Sequence, residues 1–420
     1  MENELIAITG CGSVSPLGSE RLSVYSKYLT DETCIIKETF NNKVYPVGRL
    51  GVQEEKALKN LTLTNPKYKR VDRTVLMAMY AASRAFEEAG WSATQDIITG
   101  VNIGSSRGAT ALFEKLYEEF LNDIENKTSL YTSPLTTLGY ISNHVGAHLN
   151  ISGPIINTSV TCSTGIQAIC NSIAWLKSGM ASRFIAGGAE APITKFTIAQ
   201  VEALGIYSKL IDSKYPCAPL SVVGQGINTF VLGEGAAVFA IEKINITELK
   251  ERKPLGIIES VGFSFERPPS LTGINEQGSL LRAAAEMALK NMLTNNNVDL
   301  ILLHCPGTVK GDNAELNAIK EVFQDNMPNM FSNKWKIGHT YSAAPALCLE
   351  LGLICLQNNF SPDFPYETYI TNRKRDIRKI MVIATGFGGN ATSVIVSHPD
   401  IVEEACYKAT VVVNKRYKLS

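Results

Sequence analysis

The sequence carries no net charge: 40 lysines and arginines balance 40 aspartates and glutamates. That balance excludes a global attraction to nucleic acid or to acidic membranes. No apolar run approaches the roughly 20 residues that a membrane span requires. The opening MENELIAITG reads as a strand, not as the charged segment and apolar stretch of a secretory leader. The 9 cysteines contain no CxxC pair and no dense framework, which points to reduced thiols in a soluble, cytoplasmic protein with no metal site. Histidine is scarce, with 5 in 420 residues, so each one is informative. A hydrophobic content of 45% with 19% charge excludes disorder and leaves ample material for a core.

What is present is a long alternation of strand and helix patterns. Glu4–Thr9 predicts a strand, and the turn GCGSVSPLG after it superficially suggests a dinucleotide site. Pro16 falls where that fingerprint needs a helix, so the match is discounted. Helices are predicted over Arg73–Ala89, Ala109–Leu121, Pro134–Leu149 and Phe196–Leu204, and strands over Thr99–Ser105, Ile155–Thr161 and Ser182–Gly187. Phe230–Lys243 reads as a glycine-interrupted strand pair. The polar, charged stretch Asn245–Pro254 is the best internal boundary, dividing the chain into residues 1–250 and 251–420. The same grammar then recurs: strand Leu255–Phe263, helix Glu276–Thr294, strand Val298–His304, helices Glu315–Phe323 and Ala343–Gln357, and strands Lys379–Ala384 and Ala391–Ser397. Glu403–Ser420 is expected as a surface helix or strand. Strands alternating with helices imply an α/β protein with parallel-rich sheets, and the recurrence suggests an internal duplication.

Cys162 stands between a predicted strand end and a predicted helix start, in VTCSTG. Free backbone N–H groups and the helix dipole there favour an anion, so the thiol is expected to be acidic and nucleophilic. Taken alone, such a cysteine is better explained as a small buried residue packed at the start of a core helix. Two histidines alter that balance. His304 ends a buried strand and is followed by Thr308, Asp312 and Glu315, whereas His339 precedes an apolar helix with Lys334 just before it. The turn Gly386-Phe387-Gly388 near the end of the chain adds flexible backbone with free N–H groups.

Seven motifs in order, ITGCGSVSPLG, VTCSTG, GGAEAPI, LGEGAAV, HCPGTVKGDNAE, KIGHTYSAA and GFGGNATSV, resemble the 3-oxoacyl-(acyl-carrier-protein) synthases, condensing enzymes of the thiolase fold. The resemblance covers nearly the whole chain. It implies two related halves in a five-layered α-β-α-β-α arrangement, commonly dimeric. It also implies decarboxylative Claisen condensation of an acyl group with malonyl-acyl-carrier-protein, without a cofactor of its own, since phosphopantetheine arrives on the carrier. Carried over by motif, Cys162 matches the acyl-accepting nucleophile, His304 and His339 the decarboxylating pair, and Lys334 the lysine that orders them. Phe387, with Gly386 and Gly388, matches the gating and oxyanion turn. Thr308, Asp312 and Glu315 match the supporting residues of the first histidine loop. Lys67, Lys69, Arg70 and Arg73 lie where such enzymes receive an acidic carrier protein.

The chain departs from the family at His304-Cys305-Pro306, where His-Gly-Thr is common, and at Ala218–Ser221, where Arg-Pro-Phe-Asp is usual. Ser342–Pro345 also replaces a glycine-rich turn. These changes favour a specialised pathway, polyketide or polyene synthesis, over housekeeping fatty-acid elongation. The alternative is a non-catalytic chain-length-factor-like subunit paired with a true synthase, although the retained Cys162, His304, His339 and Lys334 argue against it. Either a homodimer or a heterodimer with a related synthase subunit is compatible with the sequence.

Overall fold

The computed structural model describes residues 4–405, apart from 94–95, 126, 223–225, 269, 271–272 and 295–296. Ten strands form its main sheet: β1 (Glu4–Val14), β2 (Thr99–Gly104), β3 (Ile155–Ile156), β4 (Arg183–Glu190), β5 (Gly235–Asn245), β6 (Gly256–Phe265), β7 (Leu300–Leu302), β8 (Asn329–Phe331), β9 (Lys379–Gly386) and β10 (Asn390–Ser397). They run in the order β8-β7-β9-β10-β6-β1-β5-β4-β2-β3. β1 and β6 meet at the centre, antiparallel, through Ile6–Ile258, Ala7–Ile257 and Ile8–Gly256. Outward from that seam, β1-β5-β4-β2-β3 and β6-β10-β9-β7-β8 repeat one pattern. In each, the first two pairings are antiparallel and the last two parallel. The recurrence suggested by the sequence is therefore a repeat of topology.

Helices complete five layers. Helix α1 (Arg73–Glu88), capped where the Asp72 carboxylate accepts from Thr74 N (2.7 Å), lies outside β1, β5 and β4 and buries Val75, Ala78, Met79 and Ala82. Helix α2 (Ser279–Lys290) covers β6, β10 and β9 on the opposite outer face. Between the two halves run α3 (Thr164–Lys177) and α4 (Ala343–Asn358), each touching strands of both. That sandwiching explains why α4 has no polar face: every residue from Ala343 to Leu356 is buried. Truncating one of its leucines, such as Leu351 or Leu353, would cost about 2–5 kcal/mol. The layered α-β-α-β-α fold expected from the family resemblance is the fold observed.

Several boundaries differ from expectation, each for a local reason. The strand expected over Ile155–Thr161 stops at Ile156. Beyond it Thr161 adopts a left-handed φ of 57°, which is incompatible with a ladder. The helix expected over Pro134–Leu149 is two, Thr132–Thr136 and Tyr140–His148. The Thr136 and Thr137 hydroxyls fold back onto the carbonyls of Thr132 and Ser133 at the break (2.7 Å each), a local alternative to continuing the helix. Helix α2 starts only at Ser279, after Gly278 at a φ of 68°. The helix expected from Glu315 begins earlier, at Val309. Residues 399–405 are helical, and the rest of the expected C-terminal element, 406–420, lies outside the described residues. Among the described residues no helix is long and apolar enough to cross a membrane.

Candidate active site

Cys162 sits on a sharp turn between Val160 and the first residue of α3. The left-handed φ of Thr161, unusual for a β-branched residue, is held in place from three sides. Its carbonyl accepts from Ser106 Oγ (2.7 Å) and Thr164 N (3.2 Å), and its hydroxyl donates to Phe387 O (3.1 Å). The turn therefore clamps the cysteine against the Gly386–Gly389 segment between β9 and β10. A Cβ on Gly386 would lie 2.0 Å from Thr161 Oγ1 and 3.0 Å from Cys162 N, so only glycine allows this approach. Gly388, at a φ of 96°, lets the chain turn so that Phe387 projects, 44% exposed, at the cavity wall.

The histidines arrive from the other half. His304 lies just past β7, with its N–H and that of Cys305 donating to the buried Glu315 carboxylate (2.7 and 2.6 Å). His339 precedes α4 and is fixed by its backbone. Its N–H donates to Val231 O (2.7 Å), and its carbonyl accepts from Gly233 N (3.0 Å). The two imidazoles stand perpendicular with centroids 5.2 Å apart, and Phe230 and Tyr341 pack on His339 at 5.2 and 5.5 Å. Lys334, 1% exposed, donates through Nζ to Leu303 O (3.0 Å) and approaches Cys348 Sγ (3.6 Å), bracing the chain leading into His304.

Asp312 has a second task that sequence alone did not reveal. Its carboxylate accepts from Gly307 N and Thr308 N (3.1 and 3.2 Å) and, on the other oxygen, from Leu220 N (3.1 Å). Two of the departures from the family, Cys305-Pro306 and Ala218–Ser221, are thereby tied to one another. The second is pinned further by Tyr366 OH to Pro219 O (3.2 Å) and Val222 N to Glu367 O (3.0 Å). Thr308 stands at the N-cap position of the following helix without a side-chain capping bond and lines the cavity.

A cavity of about 740 Å³ collects Cys162, His304, His339, Thr308, Gly386 and Phe387 on one wall system, with Phe230 and Tyr341 between them. Its electrostatics follow from burial. Burial and then the neighbouring Glu190 carboxylate push the Cys162 thiol up to about 12, against the opposing effect of Lys334 and the local backbone N–H. The acidic thiol expected from the helix start is thus overturned for the free protein, because desolvation outweighs the dipole. Burial also holds His339 down at about 3, with Lys334 adding to it, and drives His304 well below the usual histidine range, with His339 and Lys334 contributing. Both rings are neutral at physiological pH and each keeps one N–H to donate.

Glu190 carries a role that the sequence reading passed over, although a lone acid in the apolar run Phe184–Ile193 was a usable signal. Its buried carboxylate accepts from Ser105 Oγ, Ser106 N, Arg107 N and Ser342 Oγ at 2.6–3.1 Å, joining the Cys162 turn to the start of α4. The basic set at residues 67–73 does not act as one group. Lys67, Lys69 and Arg70 are exposed, and Arg70 stacks on Tyr131 at 4.6 Å. Arg73 instead bridges Glu55 and the fully buried Glu234, which Arg49 also contacts (3.2 Å). Arg73→Ala is accordingly expected to lower stability by about 1–3 kcal/mol, as a buried carboxylate loses a charged partner. Chemical denaturation reads this directly; an unchanged midpoint would return Arg73 to the surface patch.

Comparison with known proteins agrees with this geometry. The family description "Beta-ketoacyl synthase, N-terminal domain" matches residues 3–245, and "Beta-ketoacyl synthase, C-terminal domain" matches 255–365. Relatives include the 3-oxoacyl-[acyl-carrier-protein] synthase 2 of Rhizobium meliloti (strain 1021), 28% identical over 93% of this chain and 98% of its own. Nodulation protein E of the same strain is 26% identical over 91% and 96%. Among solved structures, a beta-ketoacyl synthase from Burkholderia phymatum STM815 superposes with a TM-score of 0.79 at 23% identity, covering 94% of this chain and 99% of that one. The ishigamide ketosynthase/chain length factor gives 0.78 at 18% identity with the same coverage, which speaks to fold alone. With both halves matched, and with a cysteine and two histidines converging on one cavity, the chain belongs to the beta-ketoacyl synthase family of condensing acyltransferases.

Proposed function

We propose that this chain condenses an acyl group held on Cys162 with a malonyl thioester, both delivered by an acyl carrier protein. The observation that carries this reading is the convergence of Cys162, His304, His339 and Phe387 on one cavity. In the first half-reaction the Cys162 sulfur attacks the incoming thioester carbonyl. The carrier's own C–S bond breaks as the new S–C bond forms, and the Cys162 thiol proton passes by way of a neutral imidazole to the departing carrier thiolate. Backbone N–H groups at Cys162 and Phe387 are the donors for the developing oxyanion. In the second, the malonyl carboxylate departs as carbon dioxide and leaves an enolate, which the N–H donors of His304 and His339 stabilise. The resulting carbanion attacks the acyl-Cys162 carbonyl, and the thiolate leaves, regaining its proton. No cofactor beyond the carrier's phosphopantetheine enters this scheme. Mixing the protein with acyl-carrier and malonyl-carrier thioesters and detecting the 3-oxoacyl product by mass tests the reading; release of the acyl group without chain extension would refute it.

The pinned Ala218–Ser221 segment and the altered His304 loop support a specialised polyketide or polyene pathway. The cytoplasm is the proposed compartment, where the 8 described cysteines, all free, would remain reduced. We also propose assembly with a second synthase chain, itself or a related subunit. In its favour are the two-residue edge strand β3 with Ile155 partly exposed, and the helix Thr110–Asn122, which presents Phe113, Tyr117 and Leu121 to solvent.

The carrier is proposed to meet Lys67, Lys69 and Arg70. Reversing Lys69 and Arg70 to glutamate is expected to raise the apparent KM for an acidic carrier about tenfold at low salt, since exposed charge pairs contribute modestly and are screened. Acylation from a small pantetheine thioester serves as the control. A carrier KM that does not move would remove the patch from the docking surface.

A further inference from the structure

Two polar side chains beside Cys162 have no task in the chemistry described above. Arg107 lies on the loop Ser105–Gly108, which is fastened to the site: Ser106 Oγ donates to Thr161 O (2.7 Å) and Arg107 N to Glu190 Oε1 (3.1 Å). Tyr341 is adjacent to Ser342, whose hydroxyl bonds the other oxygen of the same carboxylate (2.6 Å). Both residues therefore hang from one buried acid. Arg107 Nε is buried and has no hydrogen-bond partner, and among the described residues its guanidinium has no ion pair. Tyr341 lines the cavity with Cys162, and its ring lies 5.5 Å from that of His339. It is held at a left-handed φ of 45°. Strain of this kind persists where the surroundings impose it, and it gathers at ligand sites. Burial first and then the Cys162 thiol push the Tyr341 phenol up, with Arg107 opposing.

A buried donor without a partner costs about 1–3 kcal/mol in effective stability, which a ligand acceptor can recover. A guanidinium offers only donors, and a phenol offers one more, so the missing component is an acceptor oxygen. We propose that Arg107 and Tyr341 form a polar subsite for the acyl chain on Cys162, selecting chains that carry a keto or carboxylate oxygen near the thioester. The proposal rests on Cys162 being the acyl acceptor. A plain alkyl chain would leave the buried Arg107 Nε without an acceptor.

The test compares butanoyl-, 3-oxobutanoyl- and 3-carboxypropanoyl-pantetheine as acyl donors, following the mass added at Cys162 with time. At least one oxygenated donor is expected to acylate the protein about 10–100-fold faster than butanoyl, the range of a hydrogen bond to a charged group. A faster 3-oxobutanoyl donor identifies a keto chain, and a faster 3-carboxypropanoyl donor a carboxylated one. Arg107→Met should collapse that preference, Arg107→Lys should restore part of a carboxylate preference, and Tyr341→Phe, which removes a single hydroxyl, should reduce a keto preference. Rates that are equal for all three donors in the unaltered protein would overturn the subsite, as would a preference that survives in both Arg107→Met and Tyr341→Phe. Failure of every donor to acylate the unaltered protein would instead overturn the assignment of Cys162, and the subsite with it.

Discussion

Cys162→Ala gains no acyl mass from any carrier thioester, while malonyl decarboxylation persists in the same variant. The expectation follows from how the cavity divides its labour. Cys162 lies on the α3 turn and supplies the only sulfur on the described cavity wall. The two imidazoles come from separate loops and do not depend on it for position: His304 is held by Glu315, and His339 by Val231 and Gly233. Intact-mass measurement after incubation with acyl-carrier thioesters gives the first readout, and carbon dioxide release from malonyl-carrier the second. An acylated Cys162→Ala protein would show that the nucleophile lies elsewhere. Loss of both activities with retained folding would show that the thiol also orders the histidines.

His304→Ala and His339→Ala are each expected to slow condensation by about 10²–10³, the range for removing one preorganised donor from a developing oxyanion. Acylation of Cys162 should be affected less, because the oxyanion donors of that step are backbone groups. The pH dependence carries a sign that can be checked. Burial lowers both histidines, His339 to about 3 and His304 well below the usual histidine range, so the neutral, donating form prevails at physiological pH. Decarboxylation should therefore show no inflection near the ordinary histidine value of about 6.5. The same depression links to stability: the unfolded chain binds these protons below about 6.5 and the folded chain does not, so stability falls as pH drops through that value. A decarboxylation profile rising with a midpoint near 6.5 would mean that at least one ring is more hydrated than its burial indicates.

Much of the site was legible in the sequence because its chemistry is written in short segments. VTCSTG, HCPGTVKGDNAE and GFGGN place their key residues at turns that are local in the chain, and the structure brings Cys162, His304, His339 and Phe387 to one cavity. Long-range partners were not legible in this way. Nothing near Asp312 in sequence announces Leu220, and nothing near Cys162 announces Glu190, because these bonds form only once strands from distant parts of the chain are adjacent. Arg73 shows the converse error. Its neighbours Lys67, Lys69 and Arg70 made it look like surface charge, yet a helix start turns its side chain inward to Glu234. The strand that stops at Ile156 failed for a related reason: a β-rich composition cannot reveal that Thr161 is forced into a left-handed turn by contacts with Ser106 and Phe387.

The repeated topology bears on how the two kinds of reactive side chain came to face one another. Cys162 follows β3 and precedes α3 in the first half, and His339 follows β8 and precedes α4 in the second. The edge strands β3 and β8 hold equivalent places in the two halves of the sheet, and α3 and α4 are the two helices of the shared middle layer. Cys162 and His339 thus occupy the same address in two copies of one topology. Removing either half would therefore part Cys162 from His304 and His339 and leave the cavity without one of its walls.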